Sequence, residues 1–167
     1  MIILLLVLSG VGFILSLIIQ VGTFIGVGNA ISIPVAKWLH LGLLLVYGLI
    51  YVFNKKIGRE YWKKAIECSP KIFNFIFFMI LIYMIFHVSV GIYGFFRYGK
   101  LAESKGQKIL SKRGQVVRVL SEEEYTKKYN LSMRRISSIW MVAYLCPFGS
   151  ALGGLILNKR GEDYVEA

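Results

Sequence analysis

The chain has 167 residues, 56% of them apolar and only 17% charged, and carries a formal net charge of +11. None of its twenty Lys and Arg lies in 1–36, and all nine acids follow Tyr51. Such segregation excludes an ordinary water-soluble domain, because it is hydrocarbon that makes a charge this costly to place. The basic residues flank apolar runs, where anionic headgroups and the positive-inside bias account for them, so nucleic acid is not an expected partner.

The first apolar run, 2–28, is too long for a signal-peptide core and has no basic residue ahead of it, so it is expected as an uncleaved first spanning helix. Residues 29–34 then read as a short turn. The second run, 37–54, carries Trp38 and Tyr51 near its two ends, where interfacial aromatics belong. In 54–71 the pattern becomes amphipathic. Ile57, Tyr61, Trp62, Ala65 and Ile66 share one helical face, and Arg59, Glu60, Lys63, Lys64 and Glu67 the other, which predicts a helix lying in the interface plane. Ser69-Pro70 suits the start of the third span, 71–97, the most aromatic of the four.

Residues 98–135 are the sizeable water-exposed insertion in an otherwise single multi-pass domain, 1–167. Segments 107–111 and 115–120 are β-prone, and Lys112-Arg113-Gly114 predicts a three-residue hairpin turn with Gly114 at positive φ. Ser121 and Glu124 have capping-box spacing, and Glu123–Lys127 and Glu124–Lys128 are favourable i,i+4 pairs. No helix breaker follows before Pro147, so the fourth span, 136–157, should begin outside the bilayer near Glu122. The expected fold is therefore an all-α membrane protein of four transmembrane helices with a small extramembrane β-hairpin and an interfacial helix.

With four spans both termini share a side. That side holds eight Lys and Arg and the other twelve. The denser loop at 54–71 carries more weight than the longer folded segment, and both termini are expected in the cytoplasm of a bacterial inner membrane. Lys55, Lys56, Arg59, Lys63 and Lys64 are candidates for anionic lipid headgroups.

Apart from Lys37, Lys71 and Arg97 at their very ends, the spans hold no Asp, Glu, Lys or Arg, which disfavours proton pumps and ion-coupled transporters. No serine–histidine–acid set, phosphate loop or metal-ligand run appears, so enzyme action has no support in the sequence. Cys68 and Cys146 show no paired spacing, and neither a disulfide nor a zinc site is expected. His40 and His87 lie within the second and third spans. Facing each other, they would suit bis-imidazole ligation of haem b; otherwise each is a packing or interfacial residue. Gly22 with Gly26, and Gly149 with Gly153, have the four-residue spacing that lets helix backbones approach, within the chain or in self-association.

The stretch from Gly114 to Tyr125, GQVVRVLSEEEY, together with Arg135 to Met141, resembles an uncharacterised group of small bacterial four-helix membrane proteins. These have a hairpin, an acidic element ending in Glu-Tyr, then a helix with Arg, Ser and Trp-Met. The group often has His just before that Trp, where this chain has Ile139. The likeness covers about forty residues and implies fold and cellular class, with no chemistry attached. The function expected is that of a non-enzymatic binding or accessory membrane component, with haem-dependent electron transfer and anionic-lipid binding as alternatives.

Overall fold

The computed structural model describes residues 2–26, 28–104, 106–113 and 115–159. Five helices and one antiparallel sheet follow in the order α1 (Ile2–Phe24), α2 (Gly28–Ile57), α3 (Arg59–Glu67), α4 (Lys71–Tyr98), β1 (Lys100–Ser104), β2 (Gln107–Lys112), β3 (Gln115–Val119) and α5 (Glu122–Lys159). Four of these helices, α1, α2, α4 and α5, are long and apolar enough to cross a membrane. Their outer surfaces agree: Ile14, Leu44, Ile72, Phe75, Phe86 and Phe96 are all exposed, a continuous apolar coat that suits hydrocarbon better than water. Trp38 and Tyr51 stand exposed near the two ends of the apolar part of α2, as interfacial aromatics do.

The 38-residue helix α5 is the axis. It packs against α1, α2, α3 and α4 and touches β1 and β2. Against it, α1 buries Leu5, Ser9, Gly12, Ser16, Ile19 and Thr23. These alternate steps of four and three residues, the 3.5-residue seam that keeps one helix against another. Its middle is small, so the backbones can approach. Ser9 and Ser16 donate to the carbonyls of Leu5 (2.5 Å) and Gly12 (2.7 Å) of their own helix and so leave no polar group unpaired in an apolar layer.

The small seam makes room for Tyr144. A side chain on Gly12 would occupy the position of the Tyr144 ring, and one on Gly42 of α2 would come within 2.5 Å of its hydroxyl. That hydroxyl donates to the Leu39 carbonyl at 2.5 Å. One fully buried phenol thus holds α1, α2 and α5 together. A few residues on, Pro147 lacks the N–H that would bond the Ala143 carbonyl. Tyr47 of α2 donates to that freed oxygen at 3.1 Å, so the helix continues without an orphaned acceptor.

Several boundaries differ from the sequence reading. Gly26, at φ +85°, ends α1 within one turn, so α2 begins at Gly28 and 29–34 are helical rather than a turn. Gly26 is consequently outside α1, and the Gly22–Gly26 pair forms no helix-packing stripe. The pair Gly149–Gly153 does seat a neighbour, but the short helix α3 rather than another long one takes the Gly153 position: Gly153 lies against the Ala65 carbonyl, while Gly149 receives the Phe73 ring of α4. Ser69 donates to the Gly149 carbonyl at 2.9 Å and anchors the α3–α4 corner. On α3 the buried face is Tyr61, Trp62 and Ala65, with Ile66 left exposed.

The sheet has three strands in the order β1-β2-β3; β1 was not expected. Lys112 pairs with Gln115, so the connection has two residues, Arg113 and Gly114, instead of three. Arg113 takes the positive φ, +53°, and Gly114 lies outside the described residues. The ladder slips between Leu110 and Ser111, which leaves Val117 as the extra residue of a bulge. At the entry to β1, Gly99 adopts φ +88° with the Ser111 carbonyl in the space of a side chain, a position open only to glycine.

Gly12→Val should cost about 2 kcal/mol or more by overpacking. Tyr144→Phe keeps the ring and should cost only about 0.6 kcal/mol, a typical intramembrane hydrogen bond. Unfolding in detergent micelles orders the two, and equal losses would contradict this packing.

Candidate functional site

The candidate site lies toward the N-terminal end of α5, where the helix meets the sheet. The capping box forms as the spacing predicts. Ser121 N–H donates to Glu124 Oε2 and Glu124 N–H to Ser121 Oγ, both at 3.2 Å, so the helix starts at Glu122 with its first donors satisfied. Glu123 pairs with Lys127 at 2.7 Å. Glu124 turns its other oxygen to Arg118 of β3, and Lys108 of β2 pairs with Glu122. That hydrogen bond from Lys108 raises its ammonium above the ordinary lysine value. The sheet is thus tied to α5 by acids from the first turn of the helix.

Below the sheet, α5 secures the end of α1. Helix α1 has no basic residue in its last turn, so its final carbonyls need outside donors. Arg134 supplies them: Nε donates to Thr23 Oγ1 (3.3 Å), an Nη to the Thr23 carbonyl (3.1 Å), and the guanidinium covers the Phe24 ring at 3.7 Å. Asn130 Nδ2 reaches the Gly26 carbonyl at 3.4 Å. One turn deeper, Ser137 Oγ donates to Gln20 Oε1, and Gln20 Nε2 donates to the Tyr83 hydroxyl of α4. This relay joins α1, α4 and α5, and pairs both ends of the Gln20 amide inside an apolar layer.

The strand β3 is the other feature of this end. Every residue in it is exposed, with Val116, Val117 and Val119 each more than half accessible. It borders β2 on one side only, so its outer edge presents unpaired backbone donors and acceptors.

The two imidazoles fall on separate surfaces. His40 is exposed, bonds the Ala36 carbonyl of its own helix at 2.8 Å through Nδ1, and meets Trp140 edge-on at 5.0 Å between centroids. His87 lies tilted against Tyr83, with 4.3 Å between centroids, and meets Phe86 edge-on. Helix α2 packs on α1 and α5, α4 on α5, and among the described residues no ring contact or hydrogen bond joins the two histidines. Each ring is engaged by its own neighbours, and no contact among the described residues brings the two imidazoles together as a ligand pair.

Of the basic candidates, Lys55, Arg59 and Lys63 are exposed around the α2–α3 corner, with Lys55 over the Tyr51 ring at 5.1 Å. Lys64 is half-buried there, and the Lys56 side chain lies outside those described. Cys68 and Cys146 are unpaired. Sequence reasoning did not single out Tyr144, Arg134, Arg135 or Gln20. A lone amide in the first run and an Arg pair at the head of the last one were the available signals.

No family model, no curated protein and no solved structure matches this chain.

Arg134→Ala removes the donors from the end of α1 and should cost about 1–2 kcal/mol. Hydrogen exchange read along the chain should accelerate at 21–26 first. Acceleration confined to α5 would contradict the capping role.

Proposed function

We propose that this chain is a multi-pass protein of a bacterial inner membrane that acts by binding rather than by catalysis. In this reading it is an accessory component that holds an extended, acidic segment of a second membrane protein against β3. The observation that carries the reading is the open edge of that strand. An edge meant to stay bare is guarded by central charges or proline. Here three of the five residues are valine, and the charged one, Arg118, is drawn aside to Glu124. An extended segment added to such an edge gains main-chain hydrogen bonds and apolar contacts together.

The acidic character of the segment follows from the setting. Residues 97–135 hold eleven Lys and Arg against four Glu, so an acidic strand is steered in and an additional basic one repelled. The likeness of 114–125 and 135–141 to small bacterial four-helix membrane proteins supports the cellular class. The dense basic corner at 54–71 supports cytoplasmic termini, and a cysteine at Lys63 should then be labelled from the cytoplasm and one at Lys112 from outside.

The test is a photoreactive residue at Val117 in living cells. The expected result is one adduct of discrete mass that disappears with Val116→Lys and Val119→Lys combined. An adduct at twice the mass of the chain would replace the partner by a second copy, and absence of any adduct would overturn the reading.

A further inference from the structure

A cleft of about 550 Å³ opens between the end of α4, the first strand of the sheet and α5, just beneath the exposed unit. Three cations line it, Lys100, Lys128 and Arg135, and no carboxylate does. The remaining wall is largely apolar, running from Leu131 onto Val90 and Phe95 of α4. The cleft therefore offers positive charge beside an apolar wall.

Arg135 is the decisive residue. Its stem is pressed against α4, where a side chain on Gly91 would come within 2.6 Å of Cδ and 2.9 Å of Nε. Gly91 and Gly94 leave this groove open, so the guanidinium is placed by the fold and not by chance. Its Nε is buried and has no hydrogen-bond partner among the described residues, and no carboxylate among them pairs with it. Arg134, its neighbour in sequence, spends its donors on α1. A buried guanidinium nitrogen without a partner is unfavourable, and the planar fork that carries it suits the oxygens of a phosphate.

We infer that this cleft is a binding site for a phosphate-bearing anion, held by Arg135 with Lys100, and that the anion is the headgroup of an anionic phospholipid. The apolar wall argues for the lipid: Val90 and Phe95 are exposed on α4, in line with the cleft, and can carry an acyl chain. Arg135 sits one residue before the apolar part of α5, at the depth where headgroup phosphates lie. The lipid source rests on the bilayer placement proposed above, but not on a partner at β3.

The probes are dihexanoyl phosphatidylglycerol, dihexanoyl phosphatidylcholine and inorganic phosphate, titrated into the full chain in neutral detergent and read by native mass spectrometry. One phosphatidylglycerol should be retained per chain, and Arg135→Gln and Lys100→Gln should each weaken it tenfold or more. Lys63→Gln, on the distant basic corner, should leave it unchanged. Lys100→Gln lies on an exposed strand and keeps the test open if Arg135→Gln fails to fold. Inorganic phosphate binding as tightly as the lipid, with the same dependence on Arg135, would assign a free phosphate and overturn the lipid source. Equal loss with Lys63→Gln, or none with Arg135→Gln and Lys100→Gln, would overturn the site itself.

Discussion

The Tyr144 ring lies in the space that side chains on Gly12 and Gly42 would fill, and its hydroxyl ends on the Leu39 carbonyl. Three helices are positioned by that contact, and the remaining arrangement follows from it. With α1 and α2 drawn onto one side of α5, α4 packs along another part of its surface, and α3 folds onto the glycines near its end. In a bilayer, apolar side chains gain little by leaving lipid for one another, so close backbone approach and paired polar groups must hold helices together. Tyr144 supplies both.

The same economy governs the other polar groups in the apolar layer. Ser9 and Ser16 are satisfied within their own helix, Tyr47 covers the carbonyl that Pro147 frees, and Gln20 is paired at both ends by Ser137 and Tyr83. Arg134 finishes α1. Three buried side-chain atoms lack a partner among the described residues, Trp62 Nε1, Asn130 Oδ1 and Arg135 Nε, and of these only Arg135 lines the cleft. The sheet above it is held by Lys108–Glu122 and Arg118–Glu124, so the cleft and the open edge of β3 sit on one rigid base.

Much of this was legible in the sequence because it is local. The capping box at Ser121, the Glu123–Lys127 pair and the amphipathic α3 depend on spacing and form; the two strands about Arg113 also form, but with a connection one residue shorter than their spacing suggested. The strand β1 was not visible, because Lys100–Ser104 has no alternating apolar pattern and owes its conformation to pairing with β2. The small-residue stripe of α1 was placed at Gly22 and Gly26, whereas the seam uses Ser9, Gly12 and Ser16; spacing identifies small residues but not which face meets a partner. His40 and His87 lie on different spans in the sequence, but rotation about each helix axis decides whether two rings meet, and tertiary packing sets that rotation. Arg135 was unreadable as a ligand for the same reason: its meaning comes from Gly91 across the interface.

Helix α5 is the common axis, with α1, α2, α3 and α4 each packed on it and little contact between α2 and α4 among the described residues. Thiol crosslinking in native membranes, with Cys68 and Cys146 replaced, tests this directly. Cysteine pairs placed across α1–α5, α2–α5 and α4–α5 should couple efficiently with a short bifunctional reagent, and the pair at positions 40 and 87, joining α2 to α4, should not. Efficient coupling between 40 and 87, with weak coupling to α5, would contradict the arrangement.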